Sequence, residues 1–489
     1  MNRRLFLKSA FAAGLSQTDA AAAQPTNVLF ILADQWRSSA FSHAGDPVVE
    51  TPHFDQLVSQ GIRFSRMYAS NPVCTPNRSC IITGRYSHQH GMTHNNIMLP
   101  PNETSVADLF SRAGYATHYV GKWHMDGAGR PGFVPPGWRR RGFQTFEGFN
   151  SGHYYPTGAR YFTNDGKLLW PDVYEPTYQT DLAMTFIKRN LDHPFYCYLS
   201  WGPPHAPYRP PKDWDRYDPA KLKWRPNVPE ETRNDPRTRR WAAGYYGSCA
   251  ALDHELGRLM RFLAESRLAE RTLVVFTSDH GDMLGSHAAY HKSKPEDESL
   301  HVPLFMRLPG RIPERQTTPV LASSIDLAPT ILSICGVKRL PNATGRDLSG
   351  AALAGTNPKV DSVYSEGRMR ASADAVATGK VKQKVTGKGK IKAPDGEPDI
   401  GAPGVCEGRE WRSLVTPTHK LVVRVDNKVG ALFYLEKDPY EMKNLADERS
   451  AAALQNDLLA QMKRWARDTD DPFPRATPAA QRSYTGADS

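Results

Sequence analysis

The sequence predicts an α/β protein: a mostly parallel sheet sandwiched by helices, followed by a smaller C-terminal α+β subdomain that carries an antiparallel sheet. Three observations predict it. Four continuous apolar runs of strand length each end in polar residues; helical patterns lie between them; and from about residue 360 the texture changes to short β-like segments and one closing helix. The 489 residues allow two to four compact units and a large core. With 39% hydrophobic and 10% aromatic residues, beside 37 Gly and 39 Pro, the composition is that of a loop-rich globular chain and excludes disorder throughout.

The first 23 residues read as an address. Arg3-Arg4-Leu5-Phe6-Leu7-Lys8 precedes a short apolar stretch, Ser9 to Leu15, and the small residues Ala20 to Ala23, the pattern of a twin-arginine export signal with cleavage near Ala23. The stretch is too short to span a bilayer, so no stable membrane anchor is expected. Export machinery is the implied partner, and a periplasmic or secreted protein the implied outcome. The first strand is Asn27 to Ala33, ending in Asp34-Gln35. Ala116 to Val120 leads into Gly121-Lys122-Trp123-His124, Phe195 to Leu199 leads to His205, and Leu273 to Ser278 ends in Asp279-His280. Continuous β-branched and aromatic runs suit strands buried on both faces, and in such sheets ligands sit beyond the carboxyl ends. Residues far apart in sequence are thus predicted to converge on one rim.

Between the strands, Asp108 to Ala113 and Ala242 to Ser266 read as helices, the second amphipathic through Leu252, Leu256, Leu259 and Phe262. Residues 203–236, rich in Pro and charge, read as a surface excursion. Beyond 360, Val363-Tyr364, Leu414-Val415, Leu421 to Val423 and Leu432 to Tyr434 read as strands, and Ala451 to Ala466 as the closing helix. The expected units are therefore 1–23, a signal; 24–360, the large α/β domain; and 361–489, a subdomain with a lysine-rich loop at 380–392.

Net charge is +11, much of it in the signal and in the six lysines from Lys380 to Lys392, which have no acid among them. That balance points weakly to anionic substrates, and no nucleic-acid motif accompanies it, so no nucleic-acid partner is expected. Cysteines 74, 80, 197, 249, 335 and 406 are too scattered for a disulfide scaffold and include no C-x-x-C pair. Their even number permits three disulfides, none of which the spacing specifies.

The chemistry starts at Cys74-Thr75-Pro76-Asn77-Arg78. Pro76 suits a first helical turn and Gly84 a stop, giving a short helix over 75–83. Cys74 then lies at the positive end of that helix, with Arg78 one turn on, a place suited to an anion. Read alone, the cysteine also fits a buried structural thiol. His88 and His90 form an H-x-H, which reads as a structural turn.

With Ile82-Thr83-Gly84-Arg85, this segment matches a C-x-P-x-R…T-G-R signature and resembles the type I sulfatases of the alkaline phosphatase superfamily, whose cysteine is oxidised to formylglycine. The resemblance runs almost the full mature length: Asp34-Gln35, Gly121 to His124, Pro204-His205-Ala206-Pro207-Tyr208, Ser278 to Gly281, Lys292 six residues before Glu298, Leu432 to Tyr434, Asp438-Pro439 and Asn444-Leu445. It implies an alkaline phosphatase-like fold, sulfuric ester hydrolysis, and a formylglycine-generating enzyme as a maturation partner. It also implies a hydrated aldehyde at position 74, with one hydroxyl displacing the alcohol and the other expelling sulfate. Asp34, Gln35, Cys74, Asp279 and His280 are the implied metal set for one divalent ion. Arg78, Lys122 and Lys292 neutralise charge, His124 takes the proton from the second hydroxyl, and His205 protonates the leaving alcohol.

Two departures matter. Gln35 stands where many sulfatases have a second Asp, and His280 where they have Asn. Calcium remains the first expectation, with manganese or another transition metal as the alternatives that an imidazole favours. The same Asp-Gln and Asp-His pairs resemble phosphonate monoester and phosphodiester hydrolases, the second reading. A third is a non-catalytic binder of acidic glycan through the 380–392 lysines. The favoured substrate is a sulfated saccharide, on the strength of export, basic lysines and aromatic residues such as Tyr154, Tyr155, Trp201 and Trp214 for stacking on sugar rings.

Overall fold

The computed structural model of the chain describes residues 25–356, 358–367 and 410–473. The expected signal, the lysine run 380–392 and Cys406 lie outside the described residues. Eleven strands form the main sheet: β1 (Asn27–Asp34), β2 (Ile62–Tyr68), β3 (Ala116–Lys122), β4 (Thr145–Phe149), β5 (Tyr161–Phe162), β6 (Leu168–Leu169), β7 (Phe195–Pro204), β8 (Thr272–Ser278), β9 (His301–Val302), β10 (Leu304–Arg307) and β11 (Gln316–Ser323). Their order is β11-β2-β10-β8-β1-β7-β3-β4-β5-β6, with β9 paired to β2. The four predicted runs are thus four consecutive neighbours, β8-β1-β7-β3, and all their pairings are parallel. Every residue of β1, β7 and β8 is buried, which is why these strands read as unbroken apolar runs. The short strand β10 is antiparallel to both β8 and β2.

Two apolar clusters cover the faces. One gathers Val28, Phe30 and Leu32 with Tyr196 and Tyr198; the other gathers Leu29, Ile31 and Ala33 with Cys197 and Leu199, the alternation a pleated strand imposes. Six helices matter to the argument: α1 (Pro52–Ser59), α2 (Cys74–Thr83), α3 (Val106–Arg112), α4 (Glu175–Lys188), α5 (Pro236–Glu265) and α6 (Ala452–Asp468). Helix α5 starts six residues before the predicted position, because Asp235 caps it by accepting from Thr238 N at 3.0 Å and Pro236 fits the first turn. Helix α3 likewise begins at Val106, where Ser105 and Asp108 form a capping box.

The second sheet is antiparallel, in the sequential order β12 (Val363–Gly367), β13 (Trp411–Val415), β14 (His419–Arg424) and β15 (Val429–Tyr434). Its strands and α6 match the sequence reading closely. The two sheets are bolted together. Glu366 N donates to Ser70 O at 2.9 Å, His88 Nδ1 meets Glu366 Oε2 at 2.8 Å, and buried Arg412 donates from Nε and Nη2 to Asp471 at 2.6 and 3.0 Å. His88 of the H-x-H is therefore part of this junction. Its potential metal partner Asp471 is already taken by Arg412 and by the Tyr364 hydroxyl at 2.7 Å.

None of the five described cysteines, Cys74, Cys80, Cys197, Cys249 and Cys335, forms a disulfide. Cys74 and Cys80 share α2, Cys197 lies in β7 and Cys249 in α5, with Cys335 further on, and no pairing is made among these five. Two of the aromatic residues suggested for sugar stacking are also corrected. Trp201, within β7, is fully buried in the core, and buried Tyr155 donates its hydroxyl to His205 O, so neither presents a face to a ligand. No helix of the described residues is long and apolar enough to cross a membrane.

Candidate active site

The carboxyl ends of β1, β3, β7 and β8 and the first turn of α2 meet at one point. Asp34 closes β1, Lys122 closes β3, His205 follows β7, and Asp279 and His280 follow β8. Two glycines permit this convergence. A Cβ on Gly121 (φ 102°) would lie 2.1 Å from Ser200 O, and one on Gly281 would lie 2.0 Å from Glu298 O, so no side chain fits at either place. Gln35 (φ 72°) and His124 (φ 58°) adopt the left-handed conformation just past their strands, a strained geometry that larger residues keep only where the surroundings impose it. At Gln35 it turns the backbone N–H onto Asp279 Oδ1 at 3.1 Å.

Cys74 is the first residue of α2 and is 1% exposed. Its Sγ, the atom whose place a formylglycine oxygen would take, lies 3.0 Å from Lys292 Nζ, 3.3 Å from His280 Nε2, 3.7 Å from Lys122 Nζ and 3.8 Å from Asp34 Oδ1. Burial raises the thiol's pKa, but Lys122, Lys292 and His280 outweigh it and hold the group well below the ordinary thiol range. The other buried cysteines go the opposite way. Burial pushes Cys80, Cys197 and Cys249 up, and Cys335 up to about 12. Position 74 is thus a place built to stabilise a negative charge.

Arg78, buried one turn on, holds the carboxylates. Its Nε donates to Asp279 Oδ2 at 2.9 Å, its Nη2 to Asp34 Oδ2 at 3.1 Å, and its Nη1 to Lys122 O and Ser200 Oγ at 2.8 Å each. Lys122 Nζ adds a 2.6 Å bond to Asp34 Oδ2. Burial opposes ionisation of Asp34, yet Lys122, His205 and Arg78 hold it well below the usual carboxylate range; burial and the neighbouring Asp34 push Asp279 up. Asn77 braces the second carboxylate residue by donating to Asp279 O at 2.5 Å.

The donor set fits a divalent cation. Ligand atoms of Asp34, Cys74, Asp279 and His280 all lie within 4.8 Å of one another. His280 hydrogen-bonds Gly281 O through Nδ1 at 3.0 Å, which leaves the Nε2 lone pair facing the cluster. Gln35 donates from Nε2 to Asp282 Oδ2 at 2.7 Å, while its buried Oε1 has no hydrogen-bond partner among the described residues. A buried amide oxygen without a protein partner, on a residue that follows Asp34 and bonds Asp279 through its backbone, has the chemistry of a cation ligand.

Three further imidazoles border position 74. His124 Nε2 meets Asn96 Oδ1 at 3.2 Å, and burial lowers its pKa to about 4, so the ring is neutral at ordinary pH with Nδ1 available as an acceptor. His205 Nε2 lies 2.7 Å from Lys292 Nζ, and its Nδ1 donates to Ala206 O at 2.7 Å. The third, His153, escaped the sequence reading. Its Nε2 lies 3.2 Å from Lys122 Nζ, and its ring stacks on His205 at 3.7 Å with a 7° angle between planes. It sits in the loop after β4, where no periodicity or motif marks it. All ten residues proposed from sequence, Asp34, Gln35, Cys74, Arg78, Lys122, His124, His205, Asp279, His280 and Lys292, belong to this one cluster and its immediate contacts.

The sequence model of the Sulfatase family matches residues 26–337. The chain belongs to the sulfatase family. An ulvan-active sulfatase of Formosa agariphila is 30% identical over 469 residues, covering 92% of this chain and 83% of the relative. An N-acetylglucosamine-6-O-sulfatase of Bacteroides thetaiotaomicron is 24% identical, over 67% of this chain and 70% of the relative. A crystal structure described as that of a sulfatase, YidJ of Bacteroides fragilis, superposes with a TM-score of 0.78 at 27% identity, covering 92% of this chain and 97% of that one. The sulfatase fold, with its alkaline phosphatase-like parallel sheet and separate antiparallel sheet, is thereby established, and with it the class of enzyme: a sulfuric ester hydrolase.

Proposed function

We propose that this sulfatase cleaves a sulfate ester on a carbohydrate with a formylglycine made from Cys74 and one bound divalent metal. The observation that carries the proposal is the environment of Cys74. Of five described cysteines it alone is surrounded by two lysines and an imidazole that favour its anion, at the rim where two carboxylates and an arginine converge. A hydrated aldehyde at this position supplies two hydroxyls, one to displace the alcohol and one to release sulfate. Asp34, Gln35, Asp279, His280 and residue 74 would hold the cation, which withdraws charge from sulfate oxygens and eases ionisation of the attacking hydroxyl. Calcium is favoured by the three oxygen-bearing side chains; the His280 nitrogen keeps manganese as the alternative.

The remaining residues have roles set by their contacts. Lys122 and Lys292, flanking position 74 at 3.7 and 3.0 Å, neutralise charge on the nucleophile and the transferring group. Arg78 keeps the carboxylates in place. Neutral His124 accepts the proton of the second hydroxyl, and His205 delivers one to the leaving alcohol. His153 is a positioning residue: it fixes the Lys122 ammonium from one side and the His205 ring from below. The saccharide assignment is supported by the N-acetylglucosamine-6-O-sulfatase relative and by the twin-arginine pattern at residues 1–23, which also supports export to the periplasm or beyond. The switch of sheets between β11 and β12 supports a catalytic unit at 24–360 and a smaller one at 361–489.

The test is Cys74→Ala. Turnover of an aryl sulfate is expected to vanish with the melting temperature kept, and mass analysis of the peptide holding residue 74 in wild type is expected to show the aldehyde. Residual activity in the variant rejects the role. Aryl phosphonate monoesters and phosphodiesters, run beside the sulfate, decide the second reading: a higher kcat/KM on either overturns the sulfate assignment.

A further inference from the structure

A cavity of about 830 Å³ lies beside the site, between the segment that follows His205 and the first turns of α5. Its size falls within the roughly 300–1,000 Å³ of small-molecule sites. Its wall includes Ala206 and His291, the chain neighbours of His205 and Lys292. Tyr208, also in the wall, donates its hydroxyl to Asp282 Oδ2 at 2.7 Å, the carboxylate that holds Gln35. The cavity is therefore built from the same segments that fix the proposed acid and the cation site.

Its chemistry is distinct from that of the centre. Four arginines, Arg209, Arg216, Arg237 and Arg240, face two aspartates, Asp215 and Asp218. Asp218 is occupied by Lys221 at 3.3 Å and Arg216 by Glu50 at 2.6 Å. Arg237 lies over the half-buried Trp241 ring at 5.1 Å and 3.8 Å from Asp235, whereas exposed Arg240 makes no ion pair among the described residues. The Trp241 indole, under the Arg237 guanidinium and next in the chain to Arg240, whose charge no carboxylate among the described residues pairs with, suits a ring with an apolar face and a negatively charged substituent.

Resting on the sulfatase reading above, we propose that this cavity binds an anionic sugar unit next to the one that carries the scissile sulfate, so that the substrate is a polyanionic oligosaccharide. A uronate carboxylate and a second sulfate offer the same charge. Arg240 and Arg237 make the contact and Trp241 provides the platform.

The experiment uses the full, matured chain and measures inhibition of para-nitrophenyl sulfate turnover by two probes in separate arms: a non-sulfated uronic-acid oligosaccharide and a uronate-free sulfated oligosaccharide. In Arg240→Gln, and in Arg237→Gln/Arg240→Gln, the inhibition constant of at least one probe is expected to rise about tenfold or more relative to the KM for this small aryl ester, and its salt dependence to flatten. The arm that responds identifies carboxylate or sulfate as the anion. Unchanged inhibition constants in both arms, or a KM for the aryl sulfate that rises as much as they do, overturn the proposal. If wild type turns over no sulfate ester, the reading of the centre fails by itself. Calorimetric affinities of the same probes for wild type and variants then decide the cavity, equal affinities overturning it.

Discussion

Replacing His153 separates two things that the structure joins. Its Nε2 accepts from the Lys122 ammonium at 3.2 Å, a hydrogen bond to a charged group worth about 1.5–3 kcal/mol. Its ring lies 3.7 Å from that of His205, a stacked contact worth about 0.5–1.5 kcal/mol. Burial, His205 and Lys122 all depress its own pKa, so the ring is a neutral support. If roughly half of these contributions is realised only in the transition state, His153→Ala lowers kcat/KM about tenfold on an aryl sulfate with a good leaving group, since about 1.4 kcal/mol is tenfold. Alkyl sulfates, whose leaving alcohol takes the proton from His205 in the proposed mechanism, are expected to lose about tenfold more. The assay is a plot of log kcat/KM against leaving-group pKa for wild type, His153→Ala, His153→Phe and His153→Gln. Phe keeps the stack and is expected to restore the wild-type slope but not the intercept; Gln keeps an acceptor for Lys122 and is expected to do the reverse. Parallel lines for wild type and His153→Ala would refute the argument that the stack positions His205, because a purely structural loss moves all leaving groups equally.

Chelation is expected to remove activity, with calcium or manganese restoring it, and Gln35→Ala to weaken cation binding to the apoprotein about tenfold or more by titration calorimetry, because a buried oxygen with no other partner is lost; equal affinities would exclude Gln35 from the donor set. Arg412→Met strands buried Asp471 and is expected to cost about 3–5 kcal/mol in urea unfolding, most of it recovered in Arg412→Met/Asp471→Leu. Burial lowers the His88 pKa, but Glu366 and Asp471 more than compensate, so its folded value is raised. The stability it contributes is then full below the unfolded value near 6.5 and lost as pH rises through the folded one, so the melting-temperature gap between wild type and His88→Gln is expected to narrow from pH 5.5 to pH 9; a constant or widening gap contradicts it.

How much of this was legible follows from where each residue gets its signal. Strands buried on both faces must be apolar throughout, so β1, β3, β7 and β8 announced themselves, and Asp34, Lys122, His205 and Asp279 were found because each stands at or just past such a run. Helix α2 was legible from Pro76 and Gly84, the second in the left-handed conformation that ends it (φ 67°). Strand β2 was not, because Arg63, Ser65 and Arg66 interrupt its apolar positions, and β5 and β6 are two residues each, too short for any period to show. His153 has no periodic context at all; its meaning comes from Lys122 and His205, 31 and 52 residues away.

The same distinction governs what the molecule can vary. Asp34, Lys122 and Asp279 are fixed at the ends of neighbouring parallel strands whose register leaves no slack, as Gly121 against Ser200 O makes plain. The wall beside His205 is instead an excursion held by distant ties, Arg225 and Asn227 to Glu298 at 3.1 and 2.8 Å. Because only a short stretch of chain separates Glu298 from Lys292, those ties couple the excursion to the proposed chemistry through a single buried carboxylate. Burial raises the Glu298 pKa, and Arg225, Asn227 and His287 outweigh it, keeping the carboxylate ionised. In the proposed reading, substitutions at Arg237 and Arg240 therefore change which saccharide is held, while Glu298 ties the excursion to the segment that carries Lys292.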